Sequence, residues 1–193
     1  MRARYERDTC DLTPETGSSA AGELIPDVLA DGLDIVFCGS ALGDVSWARR
    51  AYYANQGNRF WKTLADVGLT PRLLAPQDYP LLQIWRIGLT DLVKTDHGQD
   101  AHIFDGHVDL DEARASLRAK VLRWRPRVLA FTSRTAAARF LGDRVSPGRQ
   151  REGIGRTVVW VLPSTSGLAR RFFDIGPWND VARFVRDLDP GAT

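Results

Sequence analysis

The segment "DIVFCGSALGD" at residues 34–44 runs from an apolar stretch into a loop bounded by Gly39 and Gly43. The loop interior, Ser40, Ala41 and Leu42, carries no side chain suited to acid–base chemistry, and the first carboxylate after it is Asp44. It lacks the Gly-Lys-Ser/Thr ending of a phosphate loop and the third glycine of a dinucleotide fingerprint, which counts against a nucleotide cofactor. Downstream, "WARRAYYANQGNRFWK" places Tyr52 and Tyr53 one short segment before Asn58. A tyrosine ring at the mouth of a sheet can stack on a flat heterocycle, or it can simply fill a core. Far along the chain, "LPSTSGLARR" sets an apolar residue, Leu168, at the tip of a polar loop and follows it with Arg170 and Arg171. Such a side chain either packs locally or suits a wedge pushed into a base stack, with arginines holding the flanking phosphates.

Three histidines tempt a metal reading, because "DHGQDAHIFDGH" sets His97, His102 and His107 among aspartates. No pair has the i, i+4 spacing that one helix face would need, and the glycines suggest a flexible, solvated loop, so no metal and no cofactor are expected. The two cysteines, Cys10 and Cys38, can build neither a disulfide framework nor a four-cysteine cluster.

The elements that must position these residues follow from periodicity. Leu33–Cys38 is apolar on both faces, as a central parallel strand is. Asn58 to Gly68 reads as a helix burying Phe60, Trp61, Leu64 and Val67, with Asn58 as its N-cap. Residues 87–93, "IGLTDLV", read as a short second strand or as a strand running into a turn. A helix starting at Asp109 or Asp111 carries Ala113, Leu117, Val121 and Trp124 and ends before Pro126. "RVLAFTS" is a strand, Thr132 or Ser133 caps a helix running through Phe140 to Gly142, and "GRTVVWVLP" is the last strand. Pro177 opens a final helix with Trp178, Val181, Val185 and Leu188 on its buried stripe. Strands alternating with helices imply a three-layer α/β/α fold around a mainly parallel sheet, whose ligands sit beyond the carboxyl ends of the strands. The loops Gly39–Tyr53 and Pro163–Arg171 both lie there.

Composition bounds the rest. The chain has 193 residues, 44% hydrophobic and 26% charged, enough for one substantial core. We expect a flexible leader over residues 1–23, rich in Thr, Ser, Gly and charge, and one domain over residues 24–193. With no signal-peptide or membrane-spanning run, the expected setting is soluble and cytoplasmic, nucleoid-associated when bound to DNA, with no membrane partner. The net charge of +2 is too small to imply a polyanion partner by itself. Its distribution says more: arginines cluster at Arg49–Arg50, Arg123–Arg127, Arg149–Arg156 and Arg170–Arg171.

The order and spacing of the glycine-bounded loop, the tyrosine before "NRFWK", "GLTDLV" and "VLPSTSGLAR" resemble the mismatch-specific uracil-DNA glycosylases, relatives of thymine-DNA glycosylase in the uracil-DNA glycosylase superfamily, over roughly residues 30–188. The resemblance implies a base-excising enzyme that everts a damaged nucleotide from DNA and hydrolyses its N-glycosidic bond. It makes Gly39, Ser40 and Ala41 the base-binding loop, Tyr53 the ring that stacks on the everted uracil, and Asn58 the start of the helix entrance. Ser164 belongs to the base pocket on the same reading. Ser166, Gly167, Leu168, Arg170 and Arg171 become the DNA-inserting loop, with Leu168 as wedge. The implied partner is uracil-containing, mispaired or abasic DNA, bound by a monomer.

One departure matters: Ala41 stands where the family has the asparagine that positions water, and Leu42 replaces the following proline. Alanine cannot orient water, so the water must be held elsewhere. Asp91 in "GLTDLV" should face the same crevice, where a carboxylate can orient water and favour an oxocarbenium-like sugar. Asp44 is closer in sequence but suits capping the next turn, and Ser46 is a weaker water ligand. Two further readings stay open: catalysis by backbone dipoles and DNA strain, and a lesion- or abasic-site binder with little turnover. A small-molecule nucleobase hydrolase is disfavoured by the missing phosphate loop and by Leu168.

Overall fold

The computed structural model describes residues 24–142 and 145–188; the expected leader lies outside them. Five strands form one sheet in the order β2-β1-β3-β5-β4. They are β1 (Ile35–Gly39), β2 (Ile87–Asp91), β3 (Val128–Phe131), β4 (Gly148–Arg149) and β5 (Val158–Val161). All neighbouring pairs run parallel except the short edge strand β4, which is antiparallel to β5. The helices are α1 (Asp44–Arg49), α2 (Phe60–Asp66), α3 (Asp100–Ile103), α4 (Leu110–Trp124), α5 (Arg134–Leu141) and α6 (Gly176–Asp187), with 3-10 segments at Pro76–Trp85 and Gly167–Phe172. None of the described helices is long and apolar enough to cross a membrane.

Alternation along each strand sorts side chains into two cores, because successive residues point to opposite faces. Ile35, Phe37, Ile87, Leu89, Val128, Ala130 and Trp160 join the core beneath α2 and α6, whereas Val36, Cys38, Leu129, Phe131, Val159 and Val161 join the core beneath α4 and α5. This is the three-layer α/β/α arrangement that the alternating pattern implies. Helix α2 buries Phe60, Trp61 and Leu64, with Val67 just past its end, and α6 buries Trp178, Val181, Ala182 and Val185. The Trp178 indole N–H donates to the carbonyl of Pro163 at 3.0 Å, tying α6 to the chain leaving β5.

Helix boundaries follow capping chemistry. The Asp109 side chain accepts from the Glu112 N–H at the start of α4, and the Ser133 hydroxyl accepts from the Ala136 N–H at the start of α5. Asn58 works one position outside α2: its Oδ1 accepts from the Phe60 N–H at 2.9 Å. Gly88 marks a close backbone approach. Val28 pairs with Leu89 on the outer edge of β2, and a Cβ on Gly88 would lie 2.5 Å from the Val28 carbonyl oxygen.

Five of the described elements have no counterpart in the sequence pattern: α1 within the first loop, the 3-10 segments Pro76–Trp85 and Gly167–Phe172, the four-residue α3, and β4. Each is short or lacks a buried stripe, so nothing in its periodicity announces it.

Candidate active site

The alternation that builds the core also builds the site. Continuing the face of Ile35 and Phe37 leads to Gly39, that of Ile87 and Leu89 leads to Asp91, and that of Val128 and Ala130 leads to Thr132. Gly39 and Asp91 are register partners at the last rung of the β1–β2 ladder. The carboxylate of Asp91 occupies the space a side chain on Gly39 would fill: a Cβ built there would collide with Asp91 Oδ1 and lie 3.5 Å from the Tyr53 hydroxyl. Glycine at 39 is therefore a condition for the carboxylate being where it is.

Asp91 is 4% exposed, and its Oδ2 has no hydrogen-bond partner. A buried polar atom left unpaired costs about 1–3 kcal/mol, so it is retained only where something else requires it. Burial pushes the Asp91 carboxyl up to about 6; Asp27 adds to this, while Lys94, Lys120 and the Gly39 backbone hydrogen bond pull it down. The cationic support comes from a part-buried cluster in which Lys94 contacts Asp27 at 2.9 Å and the Tyr52 hydroxyl at 2.7 Å, and Lys120 contacts Asp27 at 2.6 Å. A carboxylate of this kind is ionised at neutral pH yet poorly solvated, which suits a group that must stabilise nearby positive charge.

Tyr53 closes over this corner. Its ring stacks on Phe60 with centroids 3.8 Å apart and planes 16° apart, and its hydroxyl lies 3.1 Å from Thr132 Oγ1. Thr132 Oγ1 donates to the Cys38 carbonyl at 3.3 Å, leaving its oxygen to accept from the tyrosine. Burial and the neighbouring Asp91 push the Tyr53 phenol well above its ordinary range, so it stays protonated. Its backbone is left-handed, with φ of 52°, as is that of Arg50 at 48°. Such conformations cost non-glycine residues free energy and cluster at functional sites.

Around the first loop, the carbonyls of Gly39, Ser40 and Leu42 accept from the N–H groups of Leu92, Val93 and Gly98. Each therefore already carries a hydrogen bond of the fold. Ser40 is buried with its hydroxyl 3.5 Å from that of Ser133, while Ala41 packs against the α4/α5 core. The Ser46 hydroxyl accepts from the Ala54 N–H, locking α1 to the tyrosine segment. Asp44 stands apart from Asp91. It opens α1, its side chain is 71% exposed, and it pairs with His97 Nδ1 at 2.9 Å.

The second loop reaches the same end of the sheet. The Arg59 N–H donates to the Thr165 carbonyl at 2.9 Å, and a Cβ on Gly167 would lie 3.3 Å from the Gly57 carbonyl oxygen. Ser164 and Ser166 shape the turn by accepting from the N–H groups of Ser166 and Leu168. Leu168 is 85% exposed beside the exposed Arg170 and Arg171. Sequence reasoning missed Phe172, which is 83% exposed on the same 3-10 segment, and it assigned Thr132 only to helix capping. The small hydroxyl residues at the end of "VLAFTS", where parallel strands present ligand-facing groups, were the available signal for Thr132.

The family model for the uracil DNA glycosylase superfamily matches residues 26–189. This chain belongs to that superfamily. The fold is similar to the solution NMR structure of a "putative Uracil DNA glycosylase" from Methanosarcina acetivorans, with a TM-score of 0.55 and 26% sequence identity, covering 84% of this chain and 96% of that one. Superfamily membership supports a DNA glycosylase role in base-excision repair, as a hydrolase acting on DNA. The matched region embraces both loops, Tyr53 and Asp91.

Proposed function

We propose that this chain is a monofunctional, mismatch-specific uracil-DNA glycosylase acting as a monomer, with Asp91 in place of the missing loop asparagine. The observation that carries this reading is the buried Asp91 carboxylate with an unpartnered oxygen, set against Gly39 and beside Tyr53. In the proposed reaction the everted uracil takes the Tyr53 face opposite Phe60, while Leu168 fills the gap left in the duplex and Arg170 and Arg171 hold the backbone. The bond from the sugar C1′ to the base nitrogen breaks, its electron pair leaves with the base, and the Asp91 carboxylate offsets the positive charge on the sugar. Water held by Asp91 then adds at C1′, passing a proton to the carboxylate, and no cofactor is required. Because Asp91 is almost wholly buried, seating a base requires the Tyr53 segment to move, and its left-handed backbone is where that segment stores strain.

The test is strand cleavage by alkali after incubation with a uracil-containing duplex. Cleavage lost in Asp91→Asn and retained in Asp44→Asn supports the assignment; unchanged cleavage in Asp91→Asn overturns it. A second reading, an abasic-site or lesion binder with little turnover, is favoured by Ala41 and by the exposed apolar and arginine side chains of the second loop. Tight gel-shift binding of abasic DNA without excision of any base would select it.

A further inference from the structure

The loop between β2 and α4 brings together the histidines whose sequence spacing argued against a metal. Ligand atoms of Asp96, His102 and His107 all lie within 4.8 Å of one another. The orientation of the rings is the more telling feature. His107 Nε2 lies 2.5 Å from Asp96 Oδ2 and His102 Nε2 lies 3.5 Å from the same oxygen. On their other sides, His107 Nδ1 bonds to Asp105 Oδ1 and His102 Nδ1 faces Asp105 Oδ2 at 3.8 Å. Both Nε2 atoms thus converge on one carboxylate, and both Nδ1 atoms turn toward another.

Asp96 is itself oriented: its Oδ1 accepts from the His97 N–H at 2.7 Å, leaving Oδ2 for the imidazoles. The loop is pinned on both sides of the cluster. Gly98 donates to the Leu42 carbonyl, Ile103 of α3 is fully buried, and Asp109 caps α4. The ligand-bearing residues therefore hang from fixed points.

We infer that Asp96, His102 and His107 form a binding site for a divalent transition-metal ion of the zinc class, with Asp105 orienting the two imidazoles from behind. Two nitrogens and one oxygen suit zinc or cobalt better than magnesium or calcium, which take oxygen ligands. Ligand atoms around a tetrahedral zinc sit roughly 3.3 Å apart, so the part-exposed side chains reach that geometry with small rotations. A carboxylate behind each metal-bound imidazole is the usual device for fixing its tautomer and direction. The ion would tie the loop that follows Asp91 to the chain leading into α4, a structural role outside the proposed base-excision chemistry.

The experiment uses the full chain, stripped of metal by a chelator and titrated with zinc by calorimetry and with cobalt by visible absorption, with magnesium as control. The expected result is one equivalent of zinc, no magnesium binding, and a tetrahedral cobalt spectrum without a thiolate charge-transfer band. His102→Ala and His107→Ala should each lower zinc affinity at least tenfold. Asp105→Asn should lower it by roughly 10- to 100-fold while keeping the cobalt spectrum. His97→Ala, whose ring points to Asp44 instead, should leave affinity unchanged. Substoichiometric zinc, a thiolate band implicating a cysteine, or binding that survives the His102→Ala/His107→Ala double substitution would each overturn the inference. Circular dichroism on every variant separates loss of ligand from loss of fold, and none of these readouts depends on DNA.

Discussion

Replacing Asp91 by asparagine should remove activity and at the same time make the protein more stable above neutral pH. Burial raises the carboxyl from its ordinary 3.8 to about 6 in the folded chain. Between those values the folded state keeps a proton that the unfolded state has lost, so stability falls as pH rises from about 4 and levels off above about 6. At about 1.4 kcal/mol per pH unit the gap corresponds to about 3 kcal/mol of stability withheld at pH 8. An amide at the unpartnered Oδ2 position leaves its own hydrogen bonds unmet, at about 1 kcal/mol or more. The net gain at pH 8 is then about 1–2 kcal/mol, or several degrees in Tm for a chain of this size. The sharper readout is the difference between wild type and Asp91→Asn in chemical denaturation from pH 4 to 8. The variant should gain on the wild type by about 2.5 kcal/mol across that range, whatever the constant cost of the amide. Excision should rise with pH through about 6 in the wild type and fall on the order of 100-fold or more in the variant. A stability difference that stays flat from pH 4 to 8 would refute the buried-carboxylate argument. Full activity in the variant would refute its catalytic role.

Gly39→Ala should drive a Cβ into the Asp91 carboxylate, costing about 1–3 kcal/mol in denaturant unfolding and abolishing excision. Tyr53→Phe keeps the stacking on Phe60 and loses only the bond to Thr132, so stability should drop by about 1 kcal/mol. Tyr53→Ala should weaken stacking of the everted base by about 1–3 kcal/mol, read as a roughly 5- to 150-fold loss of kcat/KM on a uracil duplex. Because Leu168 is 85% exposed, Leu168→Ala should change stability by less than about 0.5 kcal/mol. Excision of uracil from a matched pair should suffer more than from a mismatch, and equal losses on both substrates would remove the wedge role.

Much of the fold was legible in the chain because the sheet is buried on both faces. Short continuous apolar runs such as "IVFC" and "VLAF", rich in β-branched and aromatic residues, suit strands buried on both faces, and the stripes Phe60–Trp61–Leu64–Val67 and Trp178–Val181–Val185 repeat at helical spacing. Elements without a buried stripe, such as α1 and the 3-10 segment Pro76–Trp85, left no such trace. Part of the candidate site was legible for a related reason. Asp91 ends a strand, and strand ends in parallel sheets face the ligand crevice.

The environment of those residues was another matter. Whether Asp91 would be solvated or buried depended on a register between β1 and β2 that places a glycine opposite it, and register is a property of two segments about 50 residues apart. The histidine loop shows the same limit. Spacing within one helix says nothing of the approach of His102 and His107 to each other through a turn after α3, or of their meeting with Asp96 across the loop. The sequence by itself determined which residues of one strand would share a face, since the period of two is local. Only the tertiary structure decided which charges would lose their water, because desolvation depends on everything that packs around a group and not on its neighbours in the chain.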